Sequence, residues 1–399
     1  MKKHPASVSQ RWALASILLA NAFVYVCPAI YATFLSAYFT RTGLSAGEMG
    51  ILFSLSPLMY LMASPLWARL ADRTGKRKQV LALVCTGSAV ALLLLYRCRS
   101  FISTLAAMLL LNVFVTSLVP LSDSIVLMRS KALGIPFSRV RLGGTLGYAI
   151  VVIFCGFFLH GTGAIMFPIA AASFLLYAAL ILTFPQESAA DSSIAHHARA
   201  PLSQGLLRQL QPEFWFVLAF AFLGYTGLSV LSAYFGSFLV GLGYGHLEIA
   251  IASTFSALSE VPTLLLMHRL VQRQPIMRLL CLCCIAFALR LALISLGILP
   301  LIYAASTLQS VSYMPLYYCC VTYVSEHLPA SQQSQGQSLL VLCQSGLGGL
   351  TGYLLGGQAV STLGTASTYR LFAMLLVFCA LGLYVCYSYT LKRKDVQHD

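Results

Sequence analysis

The chain has 399 residues, of which 59% are hydrophobic and only 9% charged, with a mean hydropathy of +0.82. Those values exclude an ordinary soluble protein and call for a chain that lives in lipid. The formal net charge of +14 does not point to nucleic acid, because the lysines and arginines collect in particular loops, where they report membrane orientation.

A bilayer core needs about 20 consecutive apolar residues per helix. Twelve such runs follow one another at about 12–39, 47–68, 79–96, 101–128, 140–160, 164–184, 212–240, 246–268, 276–296, 300–324, 336–357 and 368–390. The short alternating segments of a β-barrel are absent from the sequence. Lys2 and Lys3 could open a signal peptide, but the run from Trp12 continues to Phe39, too long for such a segment, and it reads as the first span. The 12 cysteines lie mostly inside apolar runs, where a thiol behaves as a small hydrophobe. Cys281 and Cys284 form a CxxC, but no histidine is close and no metal site is expected.

Basic and nearly uncharged loops alternate. Lys2, Lys3 and Arg11, then Arg69 to Lys78, Arg129 to Arg139, Arg269 to Arg278, and Lys392 to Lys394 carry most of the positive charge. The positive-inside rule therefore places both termini in the cytoplasm of an inner or plasma membrane. The longest polar stretch lies after the sixth run. It predicts an N-terminal six-helix bundle over 1–184, a cytoplasmic linker over 185–211 and a C-terminal bundle over 212–399.

The halves resemble each other. A shift of 200 positions pairs Gly43 with Gly243, Glu48 with Glu248, Ser56 with Ser256, Arg69 with Arg269 and Arg73 with Arg273. A shift of 195 pairs Pro120 and Leu121 with Pro315 and Leu316 and sets Tyr318 opposite Asp123. Two related bundles about an axis along the membrane normal is a repeat arrangement of secondary transporters, in which substrate binds near the midplane between the halves. The expected fold is all-α and polytopic, with twelve transmembrane helices in two pseudo-symmetric six-helix bundles.

Few charges fall inside the runs. Asp123 closes the fourth run and Arg141 opens the fifth. An intramembrane carboxylate costs roughly 2.5–3.5 kcal/mol to insert, so such a residue usually faces a cavity or a partner. The other reading leaves Asp123 solvated at the membrane edge, with Arg141 merely obeying the positive-inside rule. Glu260 lies mid-run in the eighth segment and Arg290 in the ninth. Desolvation favours the protonated carboxyl and a nearby cation the ionised one, so a carboxylate beside a movable arginine can gain and lose a proton near neutral pH. The alternative is a static ion pair that pins two helices. Tyr25, Tyr31, Phe34 and Tyr38 recur along the first run, and Tyr313 and Tyr317 along the tenth. Such stripes serve as packing, as an interfacial belt or as a ligand surface. Asn21 and Gln309 carry amides that are expensive facing lipid and are expected to point inward.

The loop after the second run reads ARLADRTGKRK from Ala68 to Lys78. It resembles the signature loop of the major facilitator superfamily: Asp72, Arg73, Gly75, Arg77 and Lys78 fit, and Ala68 stands where the family prefers Gly. The resemblance implies that this loop latches the cytoplasmic side during conformational switching. Within the superfamily the chain is most similar to the phenylpropionate permease group and, more distantly, to the lactose permease and nucleoside symporters. The carrying residues are Pro120 to Asp123, Val140 to Gly144, and Ser259 to Val261 with Arg290. The chain departs from that group at Gly143, where a Trp is common, and in the tenth run, which has no histidine.

The reading is a secondary transporter, not an enzyme, that moves a small organic solute by alternating access and proton symport. The resemblance favours an aromatic acid, with sugars and nucleosides open. Asp123, Arg141, Asn21, Tyr25, Tyr31, Phe34, Tyr38, Gln309, Tyr313 and Tyr317 are the expected substrate contacts, with Glu260, Arg290 and Asp123 for proton coupling. No cofactor beyond the proton gradient, no metal, no nucleic acid and a monomer in the bilayer are expected. A proton-antiporting exporter and a transporter-like membrane sensor are the alternatives. An ATP-driven pump is disfavoured, since the sequence carries no phosphate-binding GxxxxGK[ST] loop.

Overall fold

The computed structural model describes residues 8–134, 137–184 and 212–398, so the expected linker lies outside the described residues. With no water to bond the backbone, a segment in lipid must satisfy its N–H and C=O groups internally. Each of the twelve apolar runs is accordingly helical. The helices of the first part are α1 (Val8–Ala32), α2 (Leu35–Arg41), α3 (Ala46–Thr74), α4 (Arg77–Arg97), α5 (Phe101–Val115), α6 (Leu118–Ala132), α7 (Phe137–Phe158) and α8 (Met166–Leu182). Those of the second part are α9 (Pro212–Gly241), α10 (His246–Arg273), α11 (Ile276–Ile294), α12 (Leu299–Thr307), α13 (Gln309–His327) and α14 (Ala330–Val341). A π-helical segment, Leu342–Gly348, then leads into α15 (Gly349–Leu363) and α16 (Thr365–His398).

Eight helical stretches among the described residues are long and apolar enough to cross a membrane by length and composition. Large side chains stand outward, such as Phe378 at 80% and Ile102 at 77% exposure, as lipid contact requires. Four runs are split or distorted. The fourth breaks at Thr116–Ser117, where Pro120 has no N–H to return to residue 116. The first breaks before Leu35, the tenth at Leu308, and the eleventh carries the π segment.

The chain packs as two compact units. One comprises Met1–Tyr38 and Met59–His196; the other comprises Phe39–Leu58 and His197–Asp399. In the first, α1 lies against α6, α7 and α8, and α4 against α5, α6 and α8. The α1/α7 seam is made close by glycines. A Cβ at Gly144 would sit 2.4 Å from the Tyr25 ring, and one at Gly147 would sit 3.1 Å from Ala22. Without a hydrophobic force between helices in lipid, such small residues allow the backbone approach that dispersion needs.

In the second unit, α9 packs on α11, α15 and α16, and α11 on α13 and α16. Glycines again set the seam, since a Cβ at Gly352 of α15 would lie 2.5 Å from the Thr226 carbonyl of α9. The start of α3 belongs here too. Tyr234 donates from its hydroxyl to the Tyr353 carbonyl at 2.9 Å and lies 3.3 Å from the Ala46 carbonyl.

The 200-residue repeat is visible in the backbone. Gly43 and Gly243 both have φ +87. Each ends a helix with the same pair of bonds, Leu44 N to Phe39 O at 3.0 Å and Tyr244 N to Leu239 O at 2.9 Å, a left-handed C-terminal turn that glycine accepts without strain. Glu48 then accepts from the Ser45 backbone N–H, and Glu248 from that of Gly245, both at 2.8 Å, so the two following helices start with the same carboxylate cap.

Gly50 tests the contact between the start of α3 and α15. A Cβ there would lie 2.6 Å from the Tyr353 carbonyl and 3.3 Å from Gly357 Cα. Gly50→Ala is expected to lower the thermal unfolding temperature of the purified protein, overpacking of this kind costing roughly 1–3 kcal/mol. Gly47→Ala, whose Cβ would meet nothing within 4 Å, is expected to leave it unchanged.

Candidate functional site

The loop between α3 and α4 is ordered by its own residues. Gly75 turns the chain at φ +64, which brings Asp72 to within 3.2 Å of Arg77 Nη2. Arg77 also places Nη1 3.3 Å from the Met128 sulfur of α6. Lys78 donates to the Phe184 carbonyl just past α8, and Arg129 of α6 stacks its guanidinium 4.2 Å from the centre of the Phe184 ring. Four helix ends, those of α3, α4, α6 and α8, are thus tied together. Arg73 points into the open and takes no part in those contacts.

The polar residues of the first unit gather where α1, α6, α7 and α8 meet. Asn21 of α1 is fully buried, at 0% exposure, and neither its amide oxygen nor its nitrogen has a hydrogen-bond partner among the described residues. It lies against Gly144 of α7, whose missing side chain also admits the Tyr25 ring. Asp123 is half-buried on α6. Beside it Ser122 and Tyr177 of α8 share a hydroxyl contact, Tyr177 stacks on Phe23 with centroids 6.0 Å apart, and Asp123 lies within electrostatic reach of the phenol. Arg141 belongs to the first turns of α7; its side chain lies outside the described residues. Tyr31, Phe34 and Tyr38 are all buried, with Tyr38 edge-on to Phe167 at 4.9 Å. These three rings fill the packing of the unit, away from the Asn21 group along the helix.

In the second unit, Glu260 and Arg290 come together through a third side chain. Gln309, at the start of α13, donates from its amide nitrogen to Glu260 Oε1 at 3.0 Å and accepts from Arg290 Nη1 on its amide oxygen. Arg290, buried at 6% exposure, also donates from Nη2 to Ser256 Oγ at 3.1 Å. Ser256 in turn donates to the Ser306 carbonyl at 3.1 Å. Ser256 and Glu260 are four residues apart and share one face of α10. Further along α13, Tyr313 stacks on Tyr317 and meets Tyr225 of α9 edge-on at 6.0 Å.

Three contributors are not among the expected site residues. Ser256 stands out in the sequence only as the repeat partner of Ser56, and Tyr225 and Gln344 carry no charge and no unusual spacing. Gln344 sits in the π segment, is 3% exposed and, among the described residues, has the weakly bonding Cys320 thiol of α13 beside its amide. A π-helical turn inside a helix frequently marks a functional site, and the signal that could have drawn attention to it is the cluster of Gly346, Gly348 and Gly349 beside an amide. Among the described residues, no group of three metal-ligating side chains is placed to hold an ion.

A sequence profile described as the MFS_1 like family matches residues 16–371. The maltose permease of Geobacillus stearothermophilus is 28% identical over 344 residues, covering 85% of this chain and 86% of that protein. The putative nucleoside transporter YegT of Escherichia coli (strain K12) is 23% identical over 337 residues, covering 80% and 78%. Among solved structures, the nucleoside transporter NupG superposes with a TM-score of 0.82 at 16% identity, covering 94% of this chain and 99% of that one. That last likeness is one of fold.

An amide buried without partners is a cost to the folded protein of about 1–3 kcal/mol. Asn21→Leu is therefore expected to raise the thermal unfolding temperature. If the amide is kept for a solute, the same variant loses solute binding, read as a weaker ligand-induced thermal shift. A variant that is less stable than the parent would mean that Asn21 is held by partners after all.

Proposed function

Because the chain belongs to the MFS_1 like family, a multi-pass membrane transporter and not an enzyme, we propose that it imports a hydroxylated solute, a saccharide or a nucleoside, by proton symport. The family moves small organic solutes, and the named relatives are a maltose permease and a nucleoside transporter. Such solutes are uncharged and offer many hydroxyls. Buried amides and tyrosines bind hydroxyls by donating and accepting at once, as Asn21 and Tyr25 of the first unit are equipped to do. Asp123 and Arg141 complete the solute contacts in the first unit.

The observation that carries the coupling is the Glu260, Gln309 and Arg290 chain. A carboxylate in an apolar bundle is drawn towards its protonated form by burial and towards its ionised form by Arg290. Solute binding or a change of side that moves Arg290 thus changes the affinity of Glu260 for a proton, and by linkage the proton changes the affinity for solute. The proton gradient supplies the driving force and no cofactor is required. The basic loops on one side support a reading in which both termini face the cytoplasm and the chain works as a monomer in the cell membrane.

Purified protein in liposomes, offered labelled maltose, uridine and phenylpropionate with an inward proton gradient, is expected to accumulate maltose or uridine and to stop when a protonophore is added. Glu260→Gln is expected to abolish accumulation while leaving solute exchange at equal concentrations. Accumulation only under the reversed gradient would make the protein an exporter. Binding without counterflow would make it a sensor.

A further inference from the structure

The sequence pattern treats Gln309 as a solute contact, whereas the structure spends both ends of its amide on charged groups. Its nitrogen faces the Glu260 carboxylate and its oxygen faces the Arg290 guanidinium. A carboxylate can only accept and a guanidinium can only donate, so the amide has a single orientation while Glu260 is ionised. Gln309 also follows Leu308, the residue at which the helix of the tenth run is interrupted. There, three-residue bonds, Leu308 N to Ala305 O and Val311 N to Leu308 O at 3.1 and 3.2 Å, replace the regular ladder. A tightened turn of that kind is a place where a helix bends.

We propose that Gln309 is a positioning residue that passes the protonation state of Glu260 to Arg290. The inference rests on the reading that Glu260 carries the coupled proton. When Glu260 takes up a proton from the aqueous side, it gains an O–H donor and loses its charge. The bond that Gln309 Nε2–H donates to Glu260 Oε1 is then no longer charge-assisted and weakens, so the amide is held less firmly in the orientation that gives its oxygen to Arg290. Arg290 thereby loosens its hold on α13 and keeps Ser256 on α10. Only hydrogen bonds change, and the proton stays on Glu260 until it leaves to water on the other side.

The other groups around the pair do not supply this switch. Arg290 comes from α11 and is the cation that faces Glu260. Tyr369 from α16 approaches Arg290, and Tyr313 and Tyr225 lie a turn further along. Phenols carry no charge at neutral pH. The Ser256 hydroxyl can donate or accept, but it contacts Arg290 and the Ser306 carbonyl, so beside the direct attraction of the two charges the hydrogen-bonded link from Glu260 to Arg290 runs through Gln309.

The test uses the full chain in liposomes with labelled maltose or uridine, whichever the parent accumulates. Accumulation and counterflow are each measured across a series of buffers from mildly acidic to mildly basic. Gln309→Leu is expected to keep counterflow while lowering accumulation about tenfold or more, the size expected on losing hydrogen bonds to charged groups, and to flatten its pH dependence. Gln309→Asn, which keeps the amide on a shorter stem, is expected to restore part of that pH dependence and covers the case in which the leucine variant does not fold. Accumulation and pH profile equal to the parent in Gln309→Leu would overturn the proposal. So would parallel loss of counterflow and accumulation in folded protein, which would return Gln309 to the solute contacts. Glu260→Gln separates the two levels. If that variant accumulates solute normally, the coupling reading fails and the Gln309 inference fails with it; if it uncouples while Gln309→Leu does not, only the inference fails.

Discussion

An ionised side chain inside an apolar helix bundle has to find its counterpart within the bundle, because neither lipid nor bulk water is there to supply one. The second unit meets that constraint with Arg290, which reaches Gln309 on α13 and Ser256 on α10. Much else in the unit follows from it. α10, α11 and α13 must pack closely enough for a guanidinium, an amide and a carboxylate to be linked. The small residues on the neighbouring helices make such closeness available. Arg290 also lies 5.7 Å from the Phe287 ring, one turn before it on α11, which covers it with an apolar but polarisable face.

The same economy runs through the first unit with a different outcome. Its glycines on α7 bring α1 so near that Asn21 and Tyr25 fill the space their side chains would take. Yet the buried amide of Asn21 is left without partners among the described residues. Both units therefore keep polar atoms that the protein leaves unpaired among the described residues, Asn21 in the first and Arg290 Nε in the second. The loop from Asp72 to Lys78 adds a further set of contacts, since Arg77, Lys78 and Arg129 bind the ends of α3, α4, α6 and α8 to one another.

Local sequence was sufficient wherever a short stretch carries its own physics. Twelve apolar runs had to become helices, because no other backbone arrangement of an open chain satisfies itself in lipid. Gly43 and Gly243 were legible as paired positions and adopt the same left-handed turn, and Glu48 and Glu248 cap the same way, because caps are decided by neighbours within six residues. Asp72, Gly75 and Arg77 likewise form their ion-paired turn from adjacent positions.

What only tertiary structure decided was the partner of each buried polar group. Glu260 and Arg290 could be chosen from the sequence as rare charges in apolar runs, but the insertion of Gln309 between them depends on how α10, α11 and α13 pack, which no spacing encodes. For the same reason Tyr31, Phe34 and Tyr38 share the helical period of Tyr25 and still end as packed core. Periodicity says that residues lie on one face of a helix, and the neighbouring helices say what that face meets.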